Sequence, residues 1–150
     1  AVSGFGSTYL GGARNVGPFA VDAPQNDDWE AQIQHLPALF HTLAWWRLHP
    51  RDDLVHCSVA RGPERDLDGQ PAPPRYTYWC LAEPGEQYVL YVRGLTAAIN
   101  LSLDAPQATY LLRQFDPRNG TFESPGSRSL GAFIYLPPDR RDWVMVLQRE

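Results

Sequence analysis

The acidic residues are the first place to look for chemistry, because two carboxyl groups about 5 to 10 Å apart can cleave a glycosidic bond. The chain has 17 Asp and Glu residues. The obvious candidates fall in predicted turns and at a predicted helix start, where carboxylates are usually solvated. No two of them are placed on strand ends as an acid and its nucleophile would be. These candidates are Asp27, Asp28, Asp52, Asp53, Asp66, Asp68, Glu83 and Glu86.

Motifs for nucleophiles and metal ions do not occur either. The sequence has no GxSxG, and neither Cys57 nor Cys80 lies in a catalytic, zinc or redox signature. His41, His49 and His56 lack the HxH or HxxxH spacing of metal ligands. We therefore predict no catalytic residue, no metal site and no cofactor. One disulfide is permitted, but free thiols are favoured because Cys80 falls in a strand where a small buried hydrophobe fits.

Charge and hydropathy exclude two classes of partner. The formal net charge is −4, the pI is about 5.5, and no basic stripe is present, so we expect no nucleic acid partner. No run of about 18 apolar residues could span a bilayer and no signal-peptide pattern opens the chain, so we expect a soluble chain without a membrane partner. With 150 residues, one compact body is the default expectation.

The stretch from Tyr76 to Gly94 organises the rest of the chain. Two β-prone runs flank a Glu-Pro-Gly-Glu turn, and Pro84 and Gly85 supply the backbone angles that a turn needs, so the stretch predicts a β-hairpin. Both runs are apolar on both faces, and such strands are normally covered on both faces. We expect later residues to add strands and earlier residues to add a cover.

That cover is predicted to be an amphipathic helix from Asp27 to Arg47, with apolar residues at helical spacing. Pro37 should kink the helix or begin a second one. One sandwich cannot bury every apolar residue of this segment, so we expect an exposed interface that holds a second copy or another polypeptide, most simply as a two-fold dimer. The expected interface residues are Leu39, Leu43, Trp45 and Trp46.

Short strands at close intervals predict a mainly β fold, an antiparallel β-sandwich of seven or eight strands. The expected strands lie at 54–60, 97–103, 108–115, 121–123, 132–136 and 142–148 in addition to the hairpin, with a loop at 126–131. The predicted core consists of Trp79, Leu81, Leu90, Ile99, Leu101, Leu112, Phe133, Trp143, Met145 and Leu147.

Three blocks in the second half carry a family resemblance. LAEPGEQYVLYVRG, FDPRNG and FIYLPPDRRDWVMVLQ occur in the order and approximate spacing of the C-terminal β-sandwich of DUF4038-type glycosidase-like proteins, a domain also labelled collagen-binding. Upstream, WWRLHPRDDLV resembles the hinge from the last barrel helix into that sandwich, and GFGSTYLGG resembles the final barrel strand. Gln114 departs from the family, which usually has an aromatic residue before its FDP turn.

The resemblance implies two parts, residues 1–50 as the end of a glycosidase-like barrel and residues 51–150 as an accessory sandwich. It implies a non-catalytic role, because the family's acid and nucleophile match no residue present, and a secreted or periplasmic location. The partner would be a barrel domain or a second copy.

A carbohydrate- or matrix-protein-binding module is the alternative function, and a small hydrolase is a third. A binding module would need exposed aromatic residues on one sheet face. The candidate ligand-binding residues are Tyr9, Tyr76, Tyr78 and Tyr91.

Overall fold

The computed structural model describes residues 34–59, 64–65, 71–72, 77–104 and 107–150. One helix covers residues 34–40 in these ranges. The strands are β1 (His49–Pro50), β2 (Val55–Cys57), β3 (Glu64–Arg65), β4 (Pro71–Ala72), β5 (Thr77–Glu83), β6 (Gln87–Arg93), β7 (Ile99–Ser102), β8 (Ala108–Asp116), β9 (Thr121–Leu130), β10 (Ala132–Tyr135) and β11 (Trp143–Arg149).

Nine of these strands form two antiparallel sheets in the described part of the chain. The large sheet has the order β1-β5-β6-β11-β8-β9 and the small sheet the order β10-β7-β2, while β3 and β4 pair only with each other. The predicted hairpin is confirmed as β5 and β6, joined by a turn in which Gly85 has a φ of 82°. The mainly β fold is therefore confirmed, with slightly more strands than expected.

The first core lies between the two sheets. Alternate residues of the large sheet point inward, among them Leu90, Leu112 and Leu147, and meet Ile99 and Leu101 of β7. Along β7 these two residues are buried while Asn100 and Ser102 are exposed, which is the pattern of a strand with one face on the core and one in water. This core thus takes one face each of β5, β6, β8 and β11 from the large sheet and of all three strands of the small sheet.

A second core lies on the outer face of the large sheet, where the segment before β1 covers it. Leu39 and Leu43 pack there against Val89, Val144 and Phe115. The hairpin is therefore covered on both faces, as predicted. Leu39 and Leu43 are buried, so the prediction that they lie on an exposed interface is wrong: the outer face of the sheet is itself apolar and accepts them.

Two glutamines attach this cover to the sheet. Gln87 and Gln148 lie directly opposite each other on β6 and β11. The side chain of Gln87 accepts from Ala44 N at 3.2 Å and donates to Ala44 O at 3.0 Å, and Gln148 Nε2 donates to Thr42 O at 2.9 Å. Residues 41–44 form a turn in which the N–H groups of 41–43 bond to backbone oxygens three or four residues earlier. The two amides supply the side-chain partners of Ala44 N, Ala44 O and Thr42 O.

The helical segment is shorter than predicted within the described residues. It runs through Pro37 rather than beginning there, ends at residue 40, and is followed by the turn and a separate 3₁₀ turn at Trp45–Arg47. The Asp27 to Arg47 helix is therefore wrong at its C-terminal end, and residues 27–33 lie outside the described ranges. The side chains of Gln87 and Gln148 give backbone groups of the turn the hydrogen-bond partners that a continued helix would otherwise supply, so the helix can end there.

The predicted core is mostly confirmed, but three residues lie at its margin. Leu81 and Trp143 are half-buried, and Trp79 is 40% exposed. Trp79 belongs to the outer face of β5, close to the sheet edge, where the cover is incomplete. The loop predicted at 126–131 is also wrong, because β9 pairs with β8 on both sides of a bulge at Ser124 and Pro125, and the second part of the pairing runs from Gly126 to Leu130. As an edge strand, β9 tolerates Pro125 and Gly126.

The turn between β8 and β9 touches the helix. Gly120 has a φ of 72°, and a Cβ built on it would lie 2.7 Å from Cδ2 of His35. The Nδ1 atom of His35 lies 2.9 Å from Pro117 O in the same turn. Glycine is therefore favoured at position 120 both by its backbone angle and by its lack of a side chain, since any Cβ there would force the His35 ring to move.

Candidate functional site

A cleft of about 430 Å³ opens between the helix and the outer face of the large sheet. We call it the aromatic cleft. Its volume lies within the roughly 300–1,000 Å³ that small-molecule sites usually have. The residues that line it are Leu36, Leu39, Phe40, Pro50, Asp52, Trp79, Cys80, Leu81, Val89, Tyr91 and Val144.

Two aromatic side chains form one wall of the aromatic cleft. Trp79 and Tyr91 lie directly opposite each other on β5 and β6. Their rings stack with centroids 5.6 Å apart and an interplanar angle of 24°. Tyr91 is half-buried and Trp79 is 40% exposed, so the pair presents a flat apolar surface that solvent can reach.

Tyr91 is fixed by a carboxylate beside it. Its hydroxyl donates to Asp142 Oδ2 at 3.1 Å. Burial raises the pKa of the phenol well above its usual value, and the negative charge of Asp142 raises that pKa further. Tyr91 is therefore a neutral ring at any physiological pH.

Asp52 brings a carboxylate to the lining of the cleft, at the edge of β5. Its Oδ1 atom accepts a hydrogen bond from Cys80 N at 2.8 Å, and Arg51 N donates to Cys80 O at 2.8 Å. These two bonds to Cys80 continue the pairing along the edge of β5 just after β1 ends. The Asp52 side chain therefore takes the place of a paired strand residue there. The thiol of Cys80 lies behind this edge, where burial raises its pKa to about 12.

A separate group of charges lies at the end of the sheet near β11. Arg118 forms a bidentate ion pair with Asp116 and lies over the ring of Trp143, with its Cζ atom 4.8 Å from the ring centroid. Nε1 of Trp143 donates to Asp139 Oδ1 at 2.9 Å, and this bond, with the Arg141 contacts, lowers the Asp139 pKa to about 2. Arg118 likewise lowers the pKa of Asp116. These carboxyls are held ionised, which suits structural ion pairing rather than proton donation.

Solved structures resemble this fold. A protein described as "Glycoside hydrolase" matches 93% of this chain and 29% of its own, with a TM-score of 0.62 and 14% identity. A glycoside hydrolase family 5 protein from Bacteroides vulgatus ATCC 8482 matches 78% of this chain and 23% of its own, with a TM-score of 0.56 and 13% identity. The likeness shows that this chain shares its fold with part of each of these two proteins. The chain spans less than a third of either protein.

No protein-family model and no curated protein matches the chain. The identities of 14% and 13% establish shared fold and not shared chemistry. Metal-ligating side chains form no group of three or more among the described residues. None of the described helices is long and apolar enough to cross a membrane.

Of the four predicted ligand-binding tyrosines, the two that the structure describes lie on different faces of the large sheet. Tyr91 belongs to the aromatic cleft, whereas Tyr78 faces the inner core and its hydroxyl donates to Val59 O at 3.3 Å. Tyr9 and Tyr76 fall outside the described residues. The sequence analysis placed Trp79 in the core and not among the ligand-binding candidates. The alternation of faces along the two strands of the hairpin could have placed Trp79 on the same face as Tyr91.

The two remaining interface candidates are exposed. Trp45 and Trp46 are 55% and 66% exposed on the 3₁₀ turn, with their rings edge to face at 5.8 Å between centroids. Arg47 forms an ion pair with Glu83 beside them. An interface at these two tryptophans stays a prediction.

Proposed function

We infer that this chain is a non-catalytic accessory β-sandwich of a glycoside-hydrolase-like protein. The observation that carries this proposal is the fold likeness: most of this chain matches less than a third of two glycoside hydrolases. A (β/α)8 barrel takes about 250 residues and alternates parallel strands with helices, whereas this chain has 150 residues and its described strands pair in antiparallel sheets. An accessory domain beside such a barrel fits this size and architecture better than the barrel itself does. The sequence blocks that resemble a C-terminal sandwich agree with this interpretation.

The chemistry of the described carboxyl groups supports a non-catalytic role. A glycosidase needs one carboxylic acid with a raised pKa to protonate the leaving oxygen. The perturbed carboxyls among the described residues, Asp53, Asp116 and Asp139, are all shifted downward by arginine or tryptophan donors. Such groups stay ionised and cannot serve as the acid at neutral pH.

The accessory role would be to brace a sugar-active barrel. The Trp45–Trp46 turn is the described surface best suited to that contact, because it presents two large exposed rings and is held in place by the Arg47–Glu83 ion pair and by the bonds of Gln87 to Ala44. A pre-organised surface loses little conformational entropy on binding. A second copy of the chain is the other partner that this surface would suit.

Measurement of the native polypeptide tests this proposal. An antibody raised against the 150-residue chain should detect, in extracts of the source cells, a polypeptide much larger than 16.9 kDa, or a complex that contains a glycoside hydrolase. A native 16.9 kDa protein that purifies without any glycoside hydrolase would contradict the accessory role.

A hydrolysis assay tests the non-catalytic part separately. The purified chain should not turn over aryl glycosides or plant polysaccharides. A parallel purification from cells that lack the gene controls for contaminating glycosidases. Turnover above that control, abolished by a single Asp or Glu substitution, would reveal an active site and overturn this part of the proposal.

A carbohydrate- or matrix-protein-binding module is a second candidate function. The specific observation that favours it is the stacked pair of Trp79 and Tyr91, which provides the exposed aromatic surface that such a module needs. This function is compatible with the first, because an accessory sandwich can also hold the substrate of its enzyme.

A further inference from the structure

We propose that the aromatic cleft binds a pyranose ring of a glycan, with the ring stacked on Trp79 and its hydroxyls bonded near Asp52. The choice of a sugar over other flat ligands rests on the proposed function. Three further observations support the cleft as a binding site independently of that function: its volume, its stacked aromatic wall and its carboxylate.

The aromatic wall suits the face of a sugar ring. A pyranose has apolar C–H groups on its faces and hydroxyls around its rim, so it needs a flat apolar surface bordered by hydrogen-bonding groups. An aromatic face carries partial negative charge and attracts the weakly positive C–H hydrogens. Tyr91 covers one side of the indole, and 40% of Trp79 remains exposed for such stacking.

The polar group at the rim suits the hydroxyls. Asp52 lines the cleft, and the bond from Cys80 N to its Oδ1 atom holds the carboxylate at the edge of β5. Bonds to a charged acceptor are stronger than bonds between neutral groups. Asp52 would therefore orient the sugar, while Trp79 supplies the apolar contact.

The site is built on strands rather than on a loose loop. Trp79 and Tyr91 are cross-strand neighbours within a seven-residue pairing of β5 and β6, and Asp142 fixes the Tyr91 ring. Groups held in their binding geometry before the ligand arrives lose less entropy when it binds. A shallow site that is rigid can thus hold a sugar that makes few contacts.

Titration with defined glycans tests the proposal. The probes are neutral hexasaccharides of β-1,4-linked glucose, xylose and mannose, added to the purified chain at up to about 10 mM and followed by calorimetry and tryptophan fluorescence. We expect at least one probe to bind. Trp79→Ala should weaken that binding at least tenfold, Trp79→Tyr should retain most of it because a ring remains, and Asp52→Asn should weaken it several-fold.

Trp46→Ala is the matched control, since it removes another exposed indole outside the cleft and should leave binding unchanged. A thermal melt of each variant shows whether it is folded, and Trp79→Tyr keeps the test valid if Trp79→Ala unfolds. No binding of any probe would overturn the proposal, as would equal losses in the Trp46 and Trp79 variants. Binding of an apolar dye in the cleft without any glycan would assign it to another ligand class.

This outcome is separable from the proposed function. A chain that binds no glycan but is found within a larger glycoside hydrolase would refute the sugar site alone. A chain that binds glycan through Trp79 but exists as a free 16.9 kDa protein would refute the accessory role alone.

Discussion

Replacing Gln87 tests how the helical cover is held on the sheet. This side chain is polar and only 4% exposed. It makes two bonds to Ala44 and donates a third, from Nε2, to Glu83 Oε2 at 3.0 Å. Gln87→Met keeps the approximate volume and removes all three bonds, so it separates hydrogen bonding from packing.

The expected loss of stability follows from these three bonds. A bond between neutral groups contributes roughly 0.5–1.5 kcal/mol and a bond to a charged group roughly 1.5–3 kcal/mol. Ala44 is half-buried and the Glu83 side chain is 15% exposed, so water recovers part of the loss. We therefore expect Gln87→Met to lower the free energy of unfolding by about 3 kcal/mol, which corresponds to a fall in Tm of roughly 6–12 °C.

Urea and thermal unfolding followed by circular dichroism measure this change. Gln148→Met provides a matched comparison, because it removes the bond to Thr42 from the opposite strand. The double variant should lose less than the sum of the two single losses, since both glutamines hold the same turn. A loss below about 1 kcal/mol for Gln87→Met would mean that packing alone holds the cover and would refute this reasoning.

Gln87→Glu adds a pH-dependent test of the same contact. A carboxylate cannot donate to Ala44 O, and it would sit beside the negative charge of Glu83. Burial and that charge should raise the pKa of the new carboxyl in the folded state. The variant should therefore be unstable at neutral pH and should regain stability as pH falls through that raised pKa. A pH-independent loss would contradict this explanation.

Three further predictions concern the turn, the charged group and the second core. Gly120→Ala should destabilise the protein clearly more than Gly126→Ala in urea unfolding. Both residues have a positive φ, but of the two only Gly120 faces a side chain at contact distance. Equal losses of unfolding free energy would exclude the steric contribution of His35. The folded state lowers the pKa of Asp139 from 3.8 to about 2. The contribution of this ionised carboxyl to stability is therefore fully present above its ordinary pKa and is lost as the pH falls through about 2. Asp139→Asn should flatten this part of the curve of stability against pH, and an unchanged curve would contradict the assignment. Leu43→Ala should cost about 2–5 kcal/mol in unfolding free energy, whereas Trp46→Ala, on an exposed side chain, should cost less than about 0.5 kcal/mol; comparable losses would mean that the cover packs differently.

The strands could be predicted because local signals agreed with the fold. The EPGE turn, the two apolar runs beside it and the alternation around Ile99 each point to one structure. The β9 strand could not be predicted in full, since Pro125 and Gly126 read locally as a loop. Their position on an edge strand, which depends on the order of strands in the sheet, makes them acceptable there.

The candidate site could be predicted only in part. Tyr91 was identified as an aromatic residue of the hairpin, but a strand that is apolar on both faces gives no sign of which face is fully covered. Trp79 is exposed because the helical cover does not reach the edge of the sheet. Leu39 and Leu43 are buried for the complementary reason, since the cover lies over the sheet centre. Tertiary placement, rather than residue type, decides both outcomes.

The position of β11 has a consequence for synthesis. It lies between β6 and β8 and is therefore central in the large sheet, although it is the last of the eleven described strands in sequence order. During translation the β5–β6 and β8–β9 hairpins can emerge and form early, but they cannot join until residues 143–149 have left the ribosome. Until then each hairpin exposes an unpaired edge, which is a template for wrong pairing with other nascent chains. Premature termination a few residues before Trp143 should thus yield aggregates of hairpins rather than a slightly weakened domain.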